Sequence, residues 1–229
     1  MKHLIFDCGG VLVWPRLGEW NIPFGAFEIL GDRAKDMFST KYLTSYRQAS
    51  HWLDEARQVP DIEAERHLRK EFIQSINALM DWHMTPMEIA LLTNDFTDNP
   101  NRYGLFEDVA PWLRRWKTRY TLGMLSDAMP SILSFMDQWG LLSLFDATVI
   151  STQVGATKPD PKMYAAILEK QDADPGDCLF VDDRVSNLEG AMAAGMKAVQ
   201  MARSAFLPGE IWDGPVVNSF EALNRMIEA

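Results

Sequence analysis

Cys178-Leu179-Phe180-Val181-Asp182-Asp183 is an apolar run that ends abruptly in two adjacent carboxylates. The N-terminus does nearly the same: His3-Leu4-Ile5-Phe6 runs into Asp7, and Cys8-Gly9-Gly10 follows. Short apolar runs bounded by turn residues read as strands buried on both faces, as in a parallel sheet. A carboxylate at the C-terminal end of such a strand lies where open α/β sheets bind ligands. Three acids gathered from two strand ends offer the hard oxygen donors that Mg²⁺ takes. The two runs therefore point to chemistry as well as to a fold.

Outward from these runs, the second half of the chain alternates. Glu107–Lys117 reads as a helix and Tyr120–Leu125 as a strand. Pro130–Trp139 is a helix ended by Gly140, and Ala147–Ile150 a strand. Pro161–Lys170, Leu179–Val181, Ser186–Ala194 and Lys197–Gln200 continue the pattern. Such alternation predicts an α/β fold, a doubly wound parallel sheet of Rossmann-like type. Residues 15–99 differ, with no strong strand run. Asp61 can cap a helix through about Asp81, with Ile62, Leu68, Phe72, Ile73, Ile76, Leu79 and Met80 on one face. Shorter helices are expected over Asp32–Tyr46 and Pro86–Leu92, and the polar stretch Asn94–Tyr103 reads as a linker. The expected organisation is a core of residues 1–14 and 100–229, with residues 15–99 inserted as a helical cap domain over the strand ends.

Composition narrows the function. Of 229 residues, 47% are hydrophobic, enough for a real core. The formal charge is −10, from 22 basic and 32 acidic residues, with no Lys/Arg cluster. A nucleic-acid partner is not expected, and an anionic substrate would need local positive groups or a metal. Cys8 follows one strand and Cys178 begins another, roughly 17 Å apart along parallel strands. Disulfide partners need Cα atoms within roughly 7 Å. Two free thiols fit a reducing compartment, so a cytoplasmic location is expected. Asp7 interrupts the apolar residues 4–14 and no small-residue cleavage site follows, so a secretory signal is not expected. No stretch has the length of a membrane span.

Four strand ends supply polar groups. The first gives Asp7 and the second Ser126-Asp127, with Pro130 beyond. The third leads into Gly155-Ala156-Thr157-Lys158-Pro159-Asp160-Pro161. The fourth gives Asp182-Asp183, then Ser186-x-x-Glu189 at capping-box spacing. Helix N-termini beyond Ser126 and Lys158 would offer backbone N–H groups to an anion. A carboxylate nucleophile, a hydroxyl, a lysine and a metal form a kit for phosphoryl transfer. Singly, each residue has a plainer explanation as a helix cap, a turn residue or a solvated charge. Their coincidence at four strand ends points to a site. Arg184, beside the acid pair, is expected in a salt bridge and Cys8 as a buried filler; Trp14 and Trp20 flank the entry to the cap, where lining the pocket is the alternative to the expected packing between cap and core.

The motifs that carry these residues resemble those of the haloacid dehalogenase superfamily of hydrolases. They are Phe6-Asp7-Cys8-Gly9-Gly10-Val11-Leu12, Leu125-Ser126-Asp127, Lys158-Pro159-Asp160-Pro161, and Phe180-Val181-Asp182-Asp183 with Asn187 and Gly190-Ala191-x-x-Ala194-Gly195. The resemblance runs in order through the whole core, and the cap carries no motif. It implies that Asp7 attacks phosphorus and forms an aspartyl-phosphate. Asp7, the carbonyl of Gly9 and Asp183 would ligate Mg²⁺, with Asp182 acting directly or through water. Ser126 and Lys158 would hold the phosphoryl oxygens, with Asp127 beside them in the substrate pocket. Lys158 would also restrain the acids, and Asn187 would support them from behind.

One position departs from the family pattern. Its phosphatases usually carry a second Asp two residues after the nucleophile, as general acid and base, and here that residue is Gly9. Some members with an Asp-x-Gly motif are nonetheless regarded as phosphatases. General acid–base catalysis is worth roughly 10²–10⁴-fold. The resemblance thus implies Mg²⁺-dependent hydrolysis of a small phosphorylated metabolite with a good leaving group, such as a sugar 1-phosphate or an acyl phosphate, or an acid recruited from the cap. One alternative is a 2-haloacid dehalogenase, attacking carbon without a metal. The Asp182-Asp183 pair, and Ser126-Asp127 in place of Ser-Asn, argue against it. The other is a catalytically weak member that binds a phosphorylated ligand or a protein. A monomer or homodimer is expected, with no membrane partner.

Overall fold

The computed structural model describes residues 1–20, 22–50, 58–203 and 209–229. In chain order these form β1 (His3–Phe6), β2 (Val13–Pro15), α1 (Ala26–Leu30), α2 (Thr40–Ala49), α3 (Ile62–Met80), α4 (Pro86–Asp98) and β3 (Tyr103–Leu105). There follow α5 (Val109–Trp116), β4 (Thr121–Ser126), α6 (Ser131–Gln138), β5 (Ala147–Ile150), α7 (Ser151–Val154) and α8 (Pro161–Gln171). The chain ends with β6 (Cys178–Asp182), α9 (Val185–Ala193), β7 (Lys197–Met201), β8 (Val216–Val217) and α10 (Phe220–Glu228).

Six strands make one parallel sheet in the order β5-β4-β1-β6-β7-β8. Successive residues of a strand face opposite sides, and β1 shows what each side meets. Leu4 and Phe6 join a cluster with α5, α6 and α10 through Leu113, Trp116, Phe135 and Phe220. Ile5 joins the other, with Met163, Tyr164 and Ile167 of α8 and Leu188 of α9. Helices therefore cover both faces, which is why the strands read as continuous apolar runs. The expected doubly wound α/β fold is the observed one.

The chain between β2 and β3 builds a third cluster, centred on Tyr42, Phe72, Ile76, Leu92 and Phe96. The long helix α3 follows its apolar stripe: Leu68, Phe72, Ile73, Ile76 and Met80 are buried. Asp61 caps it, its Oδ1 accepting the Ala64 amide at 2.9 Å. Three local expectations are corrected. Asp32–Tyr46 is not one helix: a 3-10 segment over Gly31–Phe38 gives way to α2, because Ser39 turns extended and accepts the Tyr42 amide. Helix α4 does not stop at Leu92 but runs to Asp98, so Asn94–Tyr103 is no linker. Its polar residues are held by tertiary partners instead, Arg66 binding Asn94, Thr97 and Asp98. The third correction is a missed sheet. β2 and β3 pair antiparallel, with Val13 opposite Leu105 and Pro15 opposite Tyr103, where the chain leaves and rejoins the core. Among the described residues no helix is long and apolar enough to cross a membrane.

Candidate active site

Strand register assembles the acids. Phe6 lies opposite Val181 across β1 and β6, so the next residues, Asp7 and Asp182, stand side by side at the strand ends. The sheet order makes this the switch point: β4 and β5 lie on one side of β1, β6 to β8 on the other. Asp7, Asp182 and Asp183 each bring a carboxylate oxygen within 4.8 Å of the others, and all three are buried. Gly10 makes room for Asp183. Its φ is +72°, and a Cβ there would lie 2.7 Å from Asp183 Oδ2, so the turn needs both the left-handed conformation and the absent side chain.

Lys158 reaches this cluster from the loop after α7. Its Nζ donates to Asp7 Oδ1 and Asp182 Oδ2, each at 2.7 Å, and to the Leu125 carbonyl at 3.2 Å. Asn187 donates Nδ2 to both oxygens of Asp182, at 3.1 and 3.0 Å. Asp127 accepts the Lys158 amide at 2.9 Å and so anchors the loop that carries the lysine. Ser126, at the end of β4, is buried and lines the cavity, and its hydroxyl has no partner among the described residues. Gly9 also lines the cavity. Every residue expected at the site is thus in one place.

With all three ionised, three carboxylates against one ammonium leave a buried deficit of two positive charges. Its effect is visible in the acids. Burial pushes Asp7 up to about 6 in spite of Lys158, and burial with neighbouring Asp7 and Asp182 pushes Asp183 up to about 7. Burial alone would lower the Lys158 pKa, but Asp182 and Asp7 hold it well above the ordinary lysine range. Oxygen donors converging with a deficit of two fit a hard divalent cation such as Mg²⁺.

A cavity of about 560 Å³ opens over these groups. Trp20, Tyr46 and Arg69 reach it from the insert, and none of them figured among the expected catalytic or binding residues. Trp20 does line it, whereas Trp14 does not. The Trp20 ring lies 3.3 Å from where a Gly9 Cβ would be, occupying the space of the side chain that Gly9 lacks. Arg102 fixes this segment, donating to the carbonyls of Phe96 at 2.8 Å and Trp20 at 3.1 Å.

Three expectations fail here. Ser186 is not a capping residue: α9 starts at Val185, and Asp182 Oδ1 instead accepts the Arg184 amide at 2.8 Å. The helix ends beyond Ser126 and Lys158 are already satisfied by the protein. Glu65 of α3 takes the Ser131 amide at 2.7 Å and hydroxyl at 2.9 Å, and Asp160 takes the Lys162 amide. Arg184 forms no salt bridge among the described residues. It is exposed on the cavity wall, where its charge draws the Asp183 carboxyl down against the larger upward pushes.

A family profile for haloacid dehalogenase-like hydrolases matches residues 1–195. The chain belongs to that family. A phosphatase of Mycobacterium tuberculosis is 33% identical over 126 residues, 54% of this chain and 56% of that protein. The chain spans about half the length of the curated relatives it matches. Two solved structures of haloacid dehalogenase-like proteins share the whole fold. The phosphatase from Thermococcus onnurineus has a TM-score of 0.65 at 20% identity, covering 99% of this chain and 98% of that one. The L-2-haloacid dehalogenase from Xanthobacter autotrophicus has a TM-score of 0.71 at 18% identity, covering 100% and 99%. At such identity the fold is common to both chemistries, and the haloacid dehalogenase-like core by itself does not choose between them.

Proposed function

We propose that the protein is a Mg²⁺-dependent phosphatase of a small phosphorylated metabolite, acting through an aspartyl-phosphate on Asp7. The observation that carries this reading is the uncompensated acid cluster. A dehalogenase needs one nucleophilic carboxylate, whereas here three converge with a single lysine among them. The phosphatase names among the curated relatives support the same choice. Mg²⁺ would be held by Asp7, the Gly9 carbonyl and Asp183, with Asp182 directly or through water. Bound there, it would supply charge neutralisation between the nucleophile and the transferring phosphoryl group.

The remaining chemistry belongs to the chain. Lys158 holds Asp7 by Oδ1 and so orients the nucleophile. A carboxylate oxygen of Asp7 forms the bond to phosphorus as the ester P–O bond breaks and its electron pair leaves with the alcohol oxygen. Ser126 and Lys158 donate to the phosphoryl oxygens, and water then hydrolyses the aspartyl-phosphate. No carboxylate stands at Gly9 to protonate the leaving oxygen, and Trp20 fills that space. Of the described insert residues lining the cavity, none is an acid. Leaving groups that tolerate departure without a proton are therefore favoured, as in sugar 1-phosphates and acyl phosphates.

The test is phosphate release from a panel of phosphorylated metabolites, with Mg²⁺ and with chelator, beside Asp7→Asn. Mg²⁺-dependent turnover that falls to background in the variant is the expected result. Rates should rise steeply as the leaving group becomes less basic, and a flat profile would sink the leaving-group argument. Absence of turnover on every ester, with folded protein and bound Mg²⁺, would leave a binding role or dehalogenation.

A further inference from the structure

Among the described residues that the insert contributes to the cavity wall, one is charged, and it is a cation. Arg69 lies on α3 one turn beyond Glu65. Glu65 is fully buried, but its two oxygens already accept the amide and hydroxyl of Ser131. Arg69 only approaches this carboxylate, Nε to Oε1 at 3.5 Å, too long for a good hydrogen bond. Its Nε is enclosed without a hydrogen-bond partner, and its guanidinium sits 4.5 Å over the Phe96 ring. The side chain is 12% exposed. Arg102 stacks on the same ring at 4.4 Å. Arg69 is thus a rigidly packed fork of donors that no carboxylate of the described residues engages by hydrogen bonding.

Glu65 balances the Arg69 charge from 3.5 Å, but the guanidinium donors gain no good hydrogen bond from it, and enclosed donors left unsatisfied are costly. The cation that contacts the acids of the phosphoryl pocket is Lys158, bound to Asp7 and Asp182, and Arg69 makes no ion pair with them. A guanidinium fork matches the two oxygens of a carboxylate or a phosphate. Tyr46 stands on the same cavity wall, and burial raises its pKa, so its hydroxyl remains a donor. We infer that the substrate carries a second anionic group, a carboxylate or a phosphate, apart from the phosphoryl group that is transferred, and that Arg69 receives it. The inference rests on the phosphatase reading above and narrows its substrate class to doubly anionic metabolites.

Matched aryl esters test it: meta-carboxyphenyl phosphate and meta-phosphonophenyl phosphate against meta-carbamoylphenyl phosphate, which has nearly the shape of the first without its charge. The wild type should favour the anionic esters in kcat/KM by about 10–100-fold, the range for a hydrogen bond to a charged group. Whichever anionic ester gains more identifies the group. Arg69→Met, which keeps the aliphatic packing on Phe96, should bring the ratio towards one, and Arg69→Lys should retain part of it. Because each ratio is taken within one preparation, loss of folded protein cancels. A wild-type ratio near one, or a full preference surviving in Arg69→Met, overturns the inference. Asp7-dependent turnover of the amide ester with no such preference would remove this inference alone. Absence of Asp7-dependent turnover on all three would remove the phosphatase reading and this inference with it.

Discussion

Gly10 has less room than any side chain could use. At φ +72°, with Asp183 Oδ2 2.7 Å from where a Cβ would stand, alanine would strain the backbone by roughly 1–2 kcal/mol and displace the carboxylate. Gly10→Ala should therefore lower stability and weaken the proposed Mg²⁺ binding together. Melting curves across a Mg²⁺ titration would show both, and an unchanged midpoint with an unchanged Mg²⁺ response would contradict the account. Removing the lysine has a different signature. Lys158→Met leaves Asp7 and Asp182 buried without their cation, and breaking such a pair costs about 3–5 kcal/mol, readable by denaturant titration. At this scale the sequence was informative wherever an acid, hydroxyl or lysine followed an apolar run, because a parallel sheet gathers strand ends at one edge. Arg69 and Glu65 had no such signal. On a helix they read as a solvent-facing pair one turn apart, and only the tertiary fold brings Glu65 to Ser131 and Arg69 to the cavity.

Elements show the same division between local and tertiary information. Helix α3 could be placed from its apolar stripe and Asp61, and Asp61→Ala should cost about 1 kcal/mol in stability. Helix α4 has a full capping box, Thr85 with Glu88, after which its interior turns polar. That polarity suggested a linker, but Asp95 accepts the Gly25 amide at 3.1 Å and Arg66 holds Asp98 at 2.8 Å. Those polar residues bind the insert together. Glu65 joins two elements that the sequence keeps 66 residues apart, supplying α6 with the N-terminal acceptor it lacks locally. Glu65→Ala orphans a buried amide and hydroxyl, at about 1–3 kcal/mol for a buried unsatisfied group. It also removes a tie between insert and core. Limited proteolysis should accelerate in this variant more than in Asp61→Ala, and equal rates would deny Glu65 that role.

Across the whole molecule, the parallel sheet with helices on both faces was readable from alternation alone. The small β2–β3 sheet was not, since three-residue strands containing Trp14-Pro15 and Tyr103-Gly104 carry too little periodicity. The two cysteines follow from the larger architecture. Both are free and buried. Burial pushes the Cys178 thiol up to about 11 and the Cys8 thiol well above its ordinary range. The thiolate is the reactive form, so neither should be alkylated in the native protein at mildly alkaline pH, and both should be after denaturation. Rapid native labelling would show that the core opens far more readily than its packing implies.

The pairing of β2 with β3 also fixes how the insert is attached. Val13 to Pro15 on the way out lie alongside Tyr103 to Leu105 on the way back, about 4.8 Å apart as neighbouring strands are. From the core's side, the long excursion between them has almost no span to bridge. The entropy of closing a loop grows only slowly with its length, about 0.6 kcal/mol per doubling. An excursion attached this way can lengthen, shorten or be exchanged with little change in what the sheet must supply, which makes the attachment a socket that leaves the acids at the strand ends in place while the far wall of the cavity is free to change.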